Sequence, residues 1–156
     1  MIDRTLELAT VDYDLKKKYD FRNIEINREF DTELPKVPCV ASELQQVLLN
    51  LLRNAAQALY EQSDRREPAR ISLRTGRENS MVRIDVVDNG PGMDKETSRR
   101  IFEPFFTTRP PGLGTGLGLS VSYFIICEQH KGEMSVDSTP GEGTTISIML
   151  PLEGTL

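Results

Sequence analysis

Two asparagines stand one helical turn apart in a segment that is otherwise strongly apolar. Asn50 and Asn54 lie beside the apolar stripe of residues 44–59, and Gln57 continues the same edge. Asparagine is a mediocre helix former, so two of them inside a strong helix require a reason. One interpretation is a polar flank at the edge of the core. The other is a ligand site, because amide oxygens can bind Mg²⁺ without adding charge beside phosphate groups.

A carboxylate followed by two glycines ends the clearest strand pattern. Residues 82–86 alternate between apolar and polar, and Asp88 falls on the apolar face by the same parity. A buried carboxylate needs hydrogen-bond donors, and the exocyclic amino group of a purine would supply one. Gly90 and Gly92 let a flat ring approach the backbone, since neither carries a Cβ. The alternative is a simple turn, because Asp-Asn-Gly is strong turn chemistry.

Four glycines at alternate positions precede the last predicted helix. Gly112, Gly114, Gly116 and Gly118 expose successive backbone N–H groups, and the start of the helix adds the positive end of its dipole. This pattern indicates a phosphate cradle. It is neither a Walker A loop, because no Gly-Lys-Ser/Thr follows, nor the dinucleotide fingerprint, because the glycine spacing differs. A flexible hinge is the alternative interpretation.

The elements that must position these groups follow from periodicity and turn residues. Three helices are predicted, the first in one piece or two, over residues 2–18, 42–61 and 119–130. Five strands are predicted at residues 24–30, 70–76, 81–88, 134–136 and 144–150. A capping box of Ser42 and Gln45 opens the second helix. Residues 89–118 have little regular pattern, which is typical of a functional segment or a lid. The order predicts an α+β fold, a two-layer α/β sandwich with a mixed five-stranded sheet on about three helices.

Composition and charge limit the classes of protein. Nineteen Lys and Arg against 24 Asp and Glu give a net charge of −5, which disfavours binding to nucleic acid. The apolar stretches are far shorter than the ~20 residues that span a bilayer. We also expect no signal peptide, no direct membrane contact and a cytoplasmic location. Cys39 and Cys127 are predicted to be buried thiols in a reducing compartment, outside any metal-ligand pattern.

Five segments carry a resemblance to a known family. In chain order they are Asn50-Leu-Leu-Arg-Asn54-Ala, Asp88-Asn-Gly-Pro-Gly92, Phe102-Glu-Pro-Phe-Phe-Thr-Thr, Gly112-Leu-Gly-Thr-Gly-Leu-Gly118 and Gly141-Glu-Gly-Thr-Thr145. They are similar to the N, G1, F, G2 and G3 boxes of sensor histidine kinases, and the F box resembles the nitrogen-regulatory type. The resemblance implies the Bergerat fold of Hsp90, DNA gyrase B and MutL. It also implies one catalytic ATP-binding domain over residues 1–156, with the ATP lid and Gly-rich loop at 89–118.

The resemblance further implies a role for individual residues. Asn54 would coordinate Mg²⁺ between the ATP phosphates, and Asn50 would hold phosphate or a metal-bound water. Asp88 would accept a hydrogen bond from the adenine amino group, with Thr144 joined through water. Arg109, in the lid, would reach the γ-phosphate and stabilise charge in the transition state. The remaining expected contacts to the nucleotide are Gln57, Ala58, Gly90, Gly92, Met93, Ile101, Gly112, Gly114, Thr115, Gly116, Leu117 and Gly118.

Three positions bear on which branch of the superfamily the chain resembles. In the ATPases a glutamate that activates water stands where this chain has Asn50, so Asn50 favours a kinase. Gln57 replaces a basic residue that often touches phosphate, and Arg53 or Arg109 is expected to substitute for it. His130 is expected to be structural, because it lacks the His-Glu context of a phosphoacceptor.

The expected function is that of a sensor-kinase catalytic domain. It would pass the γ-phosphoryl of Mg-ATP to a histidine on a separate dimerisation domain, with a response regulator downstream. The acceptor histidine lies outside these 156 residues, so we expect this piece of a longer kinase to bind nucleotide without phosphorylating itself. The alternatives are a serine kinase of the anti-sigma type and a non-catalytic nucleotide-sensing module.

Overall fold

A mixed sheet of five strands forms one layer of the computed structural model, which describes residues 1–12, 16–17, 19–108 and 116–153. The strands are β1 (Glu25–Glu29), β2 (Arg70–Glu78), β3 (Met81–Asp88), β4 (Glu133–Thr139) and β5 (Gly143–Pro151). Their spatial order is β1-β2-β3-β5-β4. The pair of β1 and β2 is parallel, and the other three neighbouring pairs are antiparallel. The predicted mixed five-stranded sheet is confirmed.

Helices form the second layer. They are α1 (Ile2–Val11), α2 (Ala41–Glu61), α3 (Lys95–Arg100) and α4 (Gly118–Tyr123). A 3₁₀ turn, Phe21–Asn23, precedes β1, and α4 continues directly into a π-helical segment, Phe124–Gln129. Because α2 packs against both α1 and α4 as well as against β3, it is the centre of this layer. The α+β architecture with about three packed helices agrees with the prediction.

One hydrophobic core joins α2 to the sheet. The apolar stripe of α2 is buried, as predicted, at Leu44, Val47, Leu48, Leu51, Leu52, Ala55 and Leu59. It shares that core with Val82, Ile84 and Val86 of β3. Full burial of one such side chain contributes about 1.5–3 kcal/mol, so this packing fixes both the rotation of α2 and the register of β3. It leaves Asn50 and Asn54 at the edge of the stripe.

The predicted capping box at the start of α2 is wrong. The helix begins at Ala41, and the N-cap residue is Val40, which makes no side-chain capping hydrogen bond. Ser42 therefore lies inside the first turn, where its hydroxyl cannot occupy the N-cap position. The backbone N–H of Val40 instead donates to Nε2 of His130, 3.0 Å away. A side chain from a distant segment satisfies a donor at the start of this helix.

The lid assignment of residues 89–118 missed a short helix. α3 lies within it, and the N-cap Asp94 accepts a hydrogen bond on Oδ1 from the backbone N–H of Thr97 at 2.7 Å. Asp94 is a typical N-cap residue, so the sequence did carry a signal for this helix. Other boundaries differ as well: β2 runs on to Glu78, and β4 covers Glu133–Thr139 rather than 134–136. α1 ends at Val11 and residues 16–17 are also helical, which agrees with the opening helix predicted in one piece or two.

The two thiols are less buried than predicted. Cys39 and Cys127 are both free and half-buried, and burial raises the pKa of each thiol. Both side chains pack at the margin of the core rather than inside it. Within the described ranges, no helix has the length and apolarity that crossing a bilayer requires.

Candidate functional site

The carboxylate of Asp88 is buried at the end of β3. Strand parity carries it to the inner face of the sheet, where the residue is only 5% exposed. Burial raises the pKa of the Asp88 carboxyl to about 6, and hydrogen bonds from the backbone N–H groups of Gly90 and Thr144 oppose this rise. The Gly90 bond reaches Oδ1 at 2.9 Å. An ionised carboxylate accepts up to about four hydrogen bonds, so capacity for a ligand donor remains.

Glycines bring the loop after β3 into close contact with the β4–β5 turn. Gly92 has φ +69°, and a Cβ there would lie 2.1 Å from the carbonyl oxygen of Thr139. Gly143 has φ +94°, and a Cβ there would lie 2.1 Å from the carbonyl oxygen of Asp88. At Gly90 a Cβ would lie 2.8 Å from Oδ1 of Asp88. Glycine is thus required at 92 and 143 by backbone packing and at 90 by the carboxylate itself.

A hydroxyl network beside Asp88 includes Ser138, which the sequence motifs did not indicate. The Ser138 hydroxyl accepts from the backbone N–H of Met93 at 2.8 Å and donates to the carbonyl of Gly143 at 3.1 Å. Its oxygen lies 2.7 Å from the hydroxyl oxygen of Thr144. Since the one hydrogen of Ser138 goes to Gly143, Thr144 is the donor of that bond and keeps lone pairs free. The signal that could have identified Ser138 is the register of the β4–β5 hairpin, which pairs it with Thr144.

Apolar residues border the same end of the site. The Ala58 side chain approaches Gly90, since a Cβ at Gly90 would lie 3.6 Å from the Cβ of Ala58. Ile101 is 6% exposed but does not belong to the main core cluster, and Met93 is half-buried. The structure therefore brings Ala58, Asp88, Gly90, Gly92, Met93 and Thr144 to one end of β3. We call it the adenine end, after the role that the resemblance implies for Asp88.

The polar edge of α2 forms the other end of the site. Asn50 donates from Nδ2 to the carbonyl of Gly118 at 3.3 Å and to Oγ of Ser122 at 3.2 Å. Asn54 is half-buried, and no hydrogen bond holds its side chain within the described part of the chain. Gln57 is buried and donates to Oε1 of Glu61 at 2.9 Å. Asn54 is therefore the one of these three whose side chain makes no hydrogen bond to the described part of the chain. We call this edge the phosphate end, after the role that the resemblance implies for Asn54.

The glycine-rich segment is described from Gly116 onward. Gly116 has φ +68°, and its carbonyl accepts from the backbone N–H of Phe105 at 2.9 Å. A Cβ on Gly116 would lie 2.4 Å from the carbonyl carbon of Phe105, so this contact requires glycine. Leu117 is exposed, and Gly118 begins α4 with open space around it. The remaining predicted residues of this loop lie outside the described ranges: Arg109, Gly112, Gly114 and Thr115.

His130 has a structural role, as predicted. It is buried, and Nδ1 lies 2.9 Å from the carbonyl oxygen of Ile125. Because Nε2 accepts from the N–H of Val40, the ring carries its proton on Nδ1 and donates it to Ile125. Both ring nitrogens are therefore engaged inside the fold.

The fold and this site define a class of nucleotide-binding domain, and comparison with known proteins identifies it. Residues 39–154 match the family described as histidine kinase-, DNA gyrase B- and HSP90-like ATPase, and the chain belongs to this family. Within the family it corresponds to the catalytic ATP-binding domain of sensor histidine kinases, as the relatives below show.

The similar proteins are named as sensor kinases. The sensory histidine kinase/phosphatase NtrB of Vibrio alginolyticus is 38% identical over 141 residues, which cover 84% of this chain and 38% of that protein. The signal transduction histidine-protein kinase AtoS of Escherichia coli is 38% identical over 130 residues, which cover 83% of this chain and 20% of AtoS. This chain thus spans well under half the length of the curated relatives it matches.

Solved structures of histidine kinases have the same fold. The catalytic domain of the histidine kinase ThkA superimposes with a TM-score of 0.75 at 29% identity, covering 97% of this chain and 94% of that one. A structure of ThkA in complex with the response regulator TrrA gives a TM-score of 0.72 at 26% identity, covering 97% of this chain and 40% of that one.

Proposed function

We propose that this domain binds ATP together with Mg²⁺ and transfers the γ-phosphoryl group to a histidine on a separate dimerisation domain. The observation that carries the proposal is the buried Asp88 carboxylate with acceptor capacity to spare. A charged group that is almost fully buried is costly unless it serves a purpose. Two backbone N–H groups satisfy only part of the hydrogen-bonding capacity of this carboxylate, and an adenine amino group would supply a further donor.

The adenine end would bind the base from three sides. Asp88 would accept from the adenine amino group, and Thr144 would join it through water, since its oxygen keeps free lone pairs. Met93 and Ile101 would form apolar walls, and Ala58 leaves room for the ring beside Gly90. Gly92 would pass along the ring plane. Strand register holds Asp88 and Thr144, and backbone contacts hold Gly92 and Met93, so this part of the pocket needs little reorganisation on binding.

The phosphate end would hold the metal and the triphosphate. The amide oxygen of Asn54 is a hard, uncharged donor of the kind that Mg²⁺ prefers, and no intramolecular bond competes for it in the described chain. Bound Mg²⁺ would neutralise negative charge on the β- and γ-phosphate oxygens. Gly116, Leu117 and Gly118 would present backbone N–H groups to the phosphates, as would Gly112, Gly114 and Thr115. Arg109 would reach the γ-phosphate from the lid, and Gln57 would line the approach.

The acceptor would be an external histidine. Asn50 is an amide and cannot act as a general base toward water, so hydrolysis is not favoured at this site. His130 is buried with both ring nitrogens engaged and cannot accept the phosphoryl group. The dimerisation domain would supply the acceptor, and a response regulator would take the phosphoryl onward, by analogy with the ThkA–TrrA complex. We also propose that the domain lies in the cytoplasm.

Calorimetric titration with the ATP analogue AMP-PNP, with and without Mg²⁺, tests the binding half of the proposal. We expect binding that Mg²⁺ strengthens, and we expect Asp88→Asn to weaken it by at least about tenfold through loss of one charge-assisted hydrogen bond. Asp85→Asn is the matched control, because Asp85 lies on the same strand but pairs with Arg83. Equal affinity of the Asp88→Asn variant and the wild type would contradict the assignment of Asp88 to adenine.

Transfer is tested with ATP and a separately supplied dimerisation domain that carries the acceptor histidine. We expect phosphate on that domain that is labile in acid and stable in base. Acid-stable phosphate on serine would identify the serine-kinase alternative. Nucleotide binding without transfer to any domain would identify the sensing module.

A further inference from the structure

A chain of polar contacts crosses three helices at the phosphate end. Ser122 of α4 is fully buried, and its Oγ accepts from Nδ2 of Asn50. Oδ1 of Asn50 accepts from Nη1 of Arg53 at 3.3 Å. Arg53 then meets Asp12, the residue directly after α1, through two contacts: Nη2 to Oδ2 at 2.5 Å and Nε to Oδ1 at 3.4 Å. Side chains thus link the end of α1 to α4 through Asn50.

This chain permits only one orientation of the Asn50 amide. The guanidinium of Arg53 can only donate, and the carbonyl of Gly118 can only accept. Rotation of the amide by half a turn would set two donors face to face at Arg53 and two acceptors face to face at Gly118. Ser122 reinforces the same orientation, because its own hydrogen goes to Gly118 at 2.8 Å and its oxygen is left to accept.

The orientation determines which atom of Asn50 can accept a hydrogen bond beside a nucleotide. The oxygens of Gly118 and Ser122 that accept from Nδ2 lie 2.8 Å from each other, so one Nδ2 hydrogen is directed at both. Oδ1 accepts from Arg53 and keeps a second lone pair, with which Asn50 can accept from a metal-bound water.

We propose that Asp12, Arg53 and Ser122 are positioning residues that hold Asn50 as a hydrogen-bond acceptor toward the metal-bound triphosphate. Asp12 also makes this orientation depend on where α1 ends, so a displacement of α1 changes the phosphate end of the site. The inference rests on the proposed function, because it assigns the partner of Asn50 within the same nucleotide site.

A second ion pair of α1 shows why the Asp12 contact is not an ordinary surface pair. Asp3 lies on α1 and contacts Arg28 of β1 through a single bond of 3.2 Å, and both side chains are about half exposed or more. Exposed pairs of this kind contribute little. The Asp12 side chain is only 15% exposed and meets the guanidinium at two nitrogens. Asp3→Asn is therefore a control that makes the same chemical change on the same helix.

The test compares two ligands on each variant by calorimetry. One is AMP-PNP with Mg²⁺, and the other is ADP with a chelator, which lacks the metal and the γ-phosphate. We expect Asp12→Asn and Ser122→Ala each to weaken Mg-AMP-PNP binding by about three- to tenfold, the size of effect of one hydrogen bond to the ligand, with ADP affinity unchanged. Asp3→Asn should leave both affinities at the wild-type value.

Arg53 provides a second measurement. In the double variant Asp12→Asn/Arg53→Gln, the loss of Mg-AMP-PNP affinity should match that of Arg53→Gln alone, because Asp12 meets this chain of polar contacts at Arg53. Ser122→Ala tests the orientation of the amide from the opposite side of Asn50. It therefore tests the positioning role even where Asp12→Asn destabilises the fold.

The outcomes separate the inference from the proposed function. Equal weakening of both ligands, or no change in either, in Asp12→Asn and Ser122→Ala overturns the positioning roles. Failure of the wild type to bind AMP-PNP at all would instead overturn the proposed function.

Discussion

The two ends of this site are built from different kinds of contact. At the adenine end, Asp88, Gly143 and Thr144 belong to strands or strand ends, and backbone hydrogen bonds and strand register hold them in place. At the phosphate end, Asn50 is held by side chains of two helices and by the carbonyl of Gly118. Sheet register restrains the first end, whereas the second depends on rotamers that cost entropy to order.

This difference suits the two ends to different parts of the nucleotide. A base of fixed shape is suited to a pocket that backbone geometry defines. A triphosphate with its metal changes charge and length during transfer, and side chains that other side chains orient can respond to such a change. If this comparison is right, substitutions at the adenine end should alter folding and base binding together. Those at the phosphate end should alter the metal-dependent part of binding by itself.

The largest effect should come from Gly143→Ala. Its Cβ would lie 2.1 Å from the Asp88 carbonyl at φ +94°, so the β3–β5 contact must open. We expect a loss of about 3 kcal/mol in the free energy of unfolding, measured with urea. Gly141→Ala is the control, because it has a similar φ of +82° but open space, and should cost about 1 kcal/mol. Equal losses would show that strain, not packing, requires glycine at 143.

The next effect concerns pH. The folded-state pKa of the Asp88 carboxyl, about 6, is raised above its ordinary 3.8. The group therefore stabilises the nucleotide-free fold most below pH 3.8, and this contribution is lost as pH rises through 6, by about 3 kcal/mol at most. Nucleotide binding should show the opposite trend, because the adenine amino group needs the ionised form. Affinity for AMP-PNP should fall about tenfold from pH 7 to pH 5, since the ionised fraction falls by that factor.

Asp88→Asn provides the control for this pH dependence. Its titration with AMP-PNP should be weak and flat between pH 5 and 7, and its unfolding free energy at pH 7 should exceed that of the wild type. Persistence of the tenfold fall in this variant would place the titrating group elsewhere.

A smaller effect should follow from Ser138→Ala. The variant removes the acceptor for the Met93 N–H and for the Thr144 hydroxyl. We expect the free energy of unfolding to fall by about 1 kcal/mol, together with weaker binding of adenosine-containing ligands. Ser135→Ala, at an exposed position of the same strand, should change neither. An unchanged Ser138→Ala variant would remove Ser138 from the adenine end.

The smallest effect on folding should be at Asn54. Because no hydrogen bond holds this side chain in the described chain, Asn54→Ala should change the free energy of unfolding by no more than about 0.5 kcal/mol. The strengthening of AMP-PNP binding by Mg²⁺ should disappear, while binding with a chelator stays the same. Survival of the Mg²⁺ effect would assign the metal to another residue and weaken the contrast between the two ends.

Local patterns in the sequence predicted much of this architecture. The period of two in β3 placed Asp88 on the inner face, and the apolar stripe of α2 placed Asn50 and Asn54 at its edge. Both predictions succeeded because burial of many aliphatic side chains outweighs any single polar contact. The motifs also predicted residues that lie together at the end of β3, although they did not show which contacts require each glycine.

What the sequence did not predict depends on long-range contacts. The backbone N–H of Val40 at the start of α2 donates to His130, 90 residues away, whereas the local signal at Ser42 predicted a different N-cap. Ser122 meets Asn50 across 72 residues. The Asp12–Arg53 pair spans 41 residues and has no motif. Such contacts follow from helix packing, so they become visible only once the layers are assembled.

The place of β5 in the sheet has a consequence for how the domain is made. β5 comes last among the strands along the chain, yet it lies between β3 and β4 in the interior of the sheet. During synthesis, β3 would have no partner on that side until residues 143–151 had left the ribosome. Contacts this distant in sequence slow folding, so the domain should acquire its structure late and in one step. A chain that stops before Gly143 would therefore lack Gly143 and Thr144 of the proposed base pocket, together with the strand that joins β4 to the rest of the sheet.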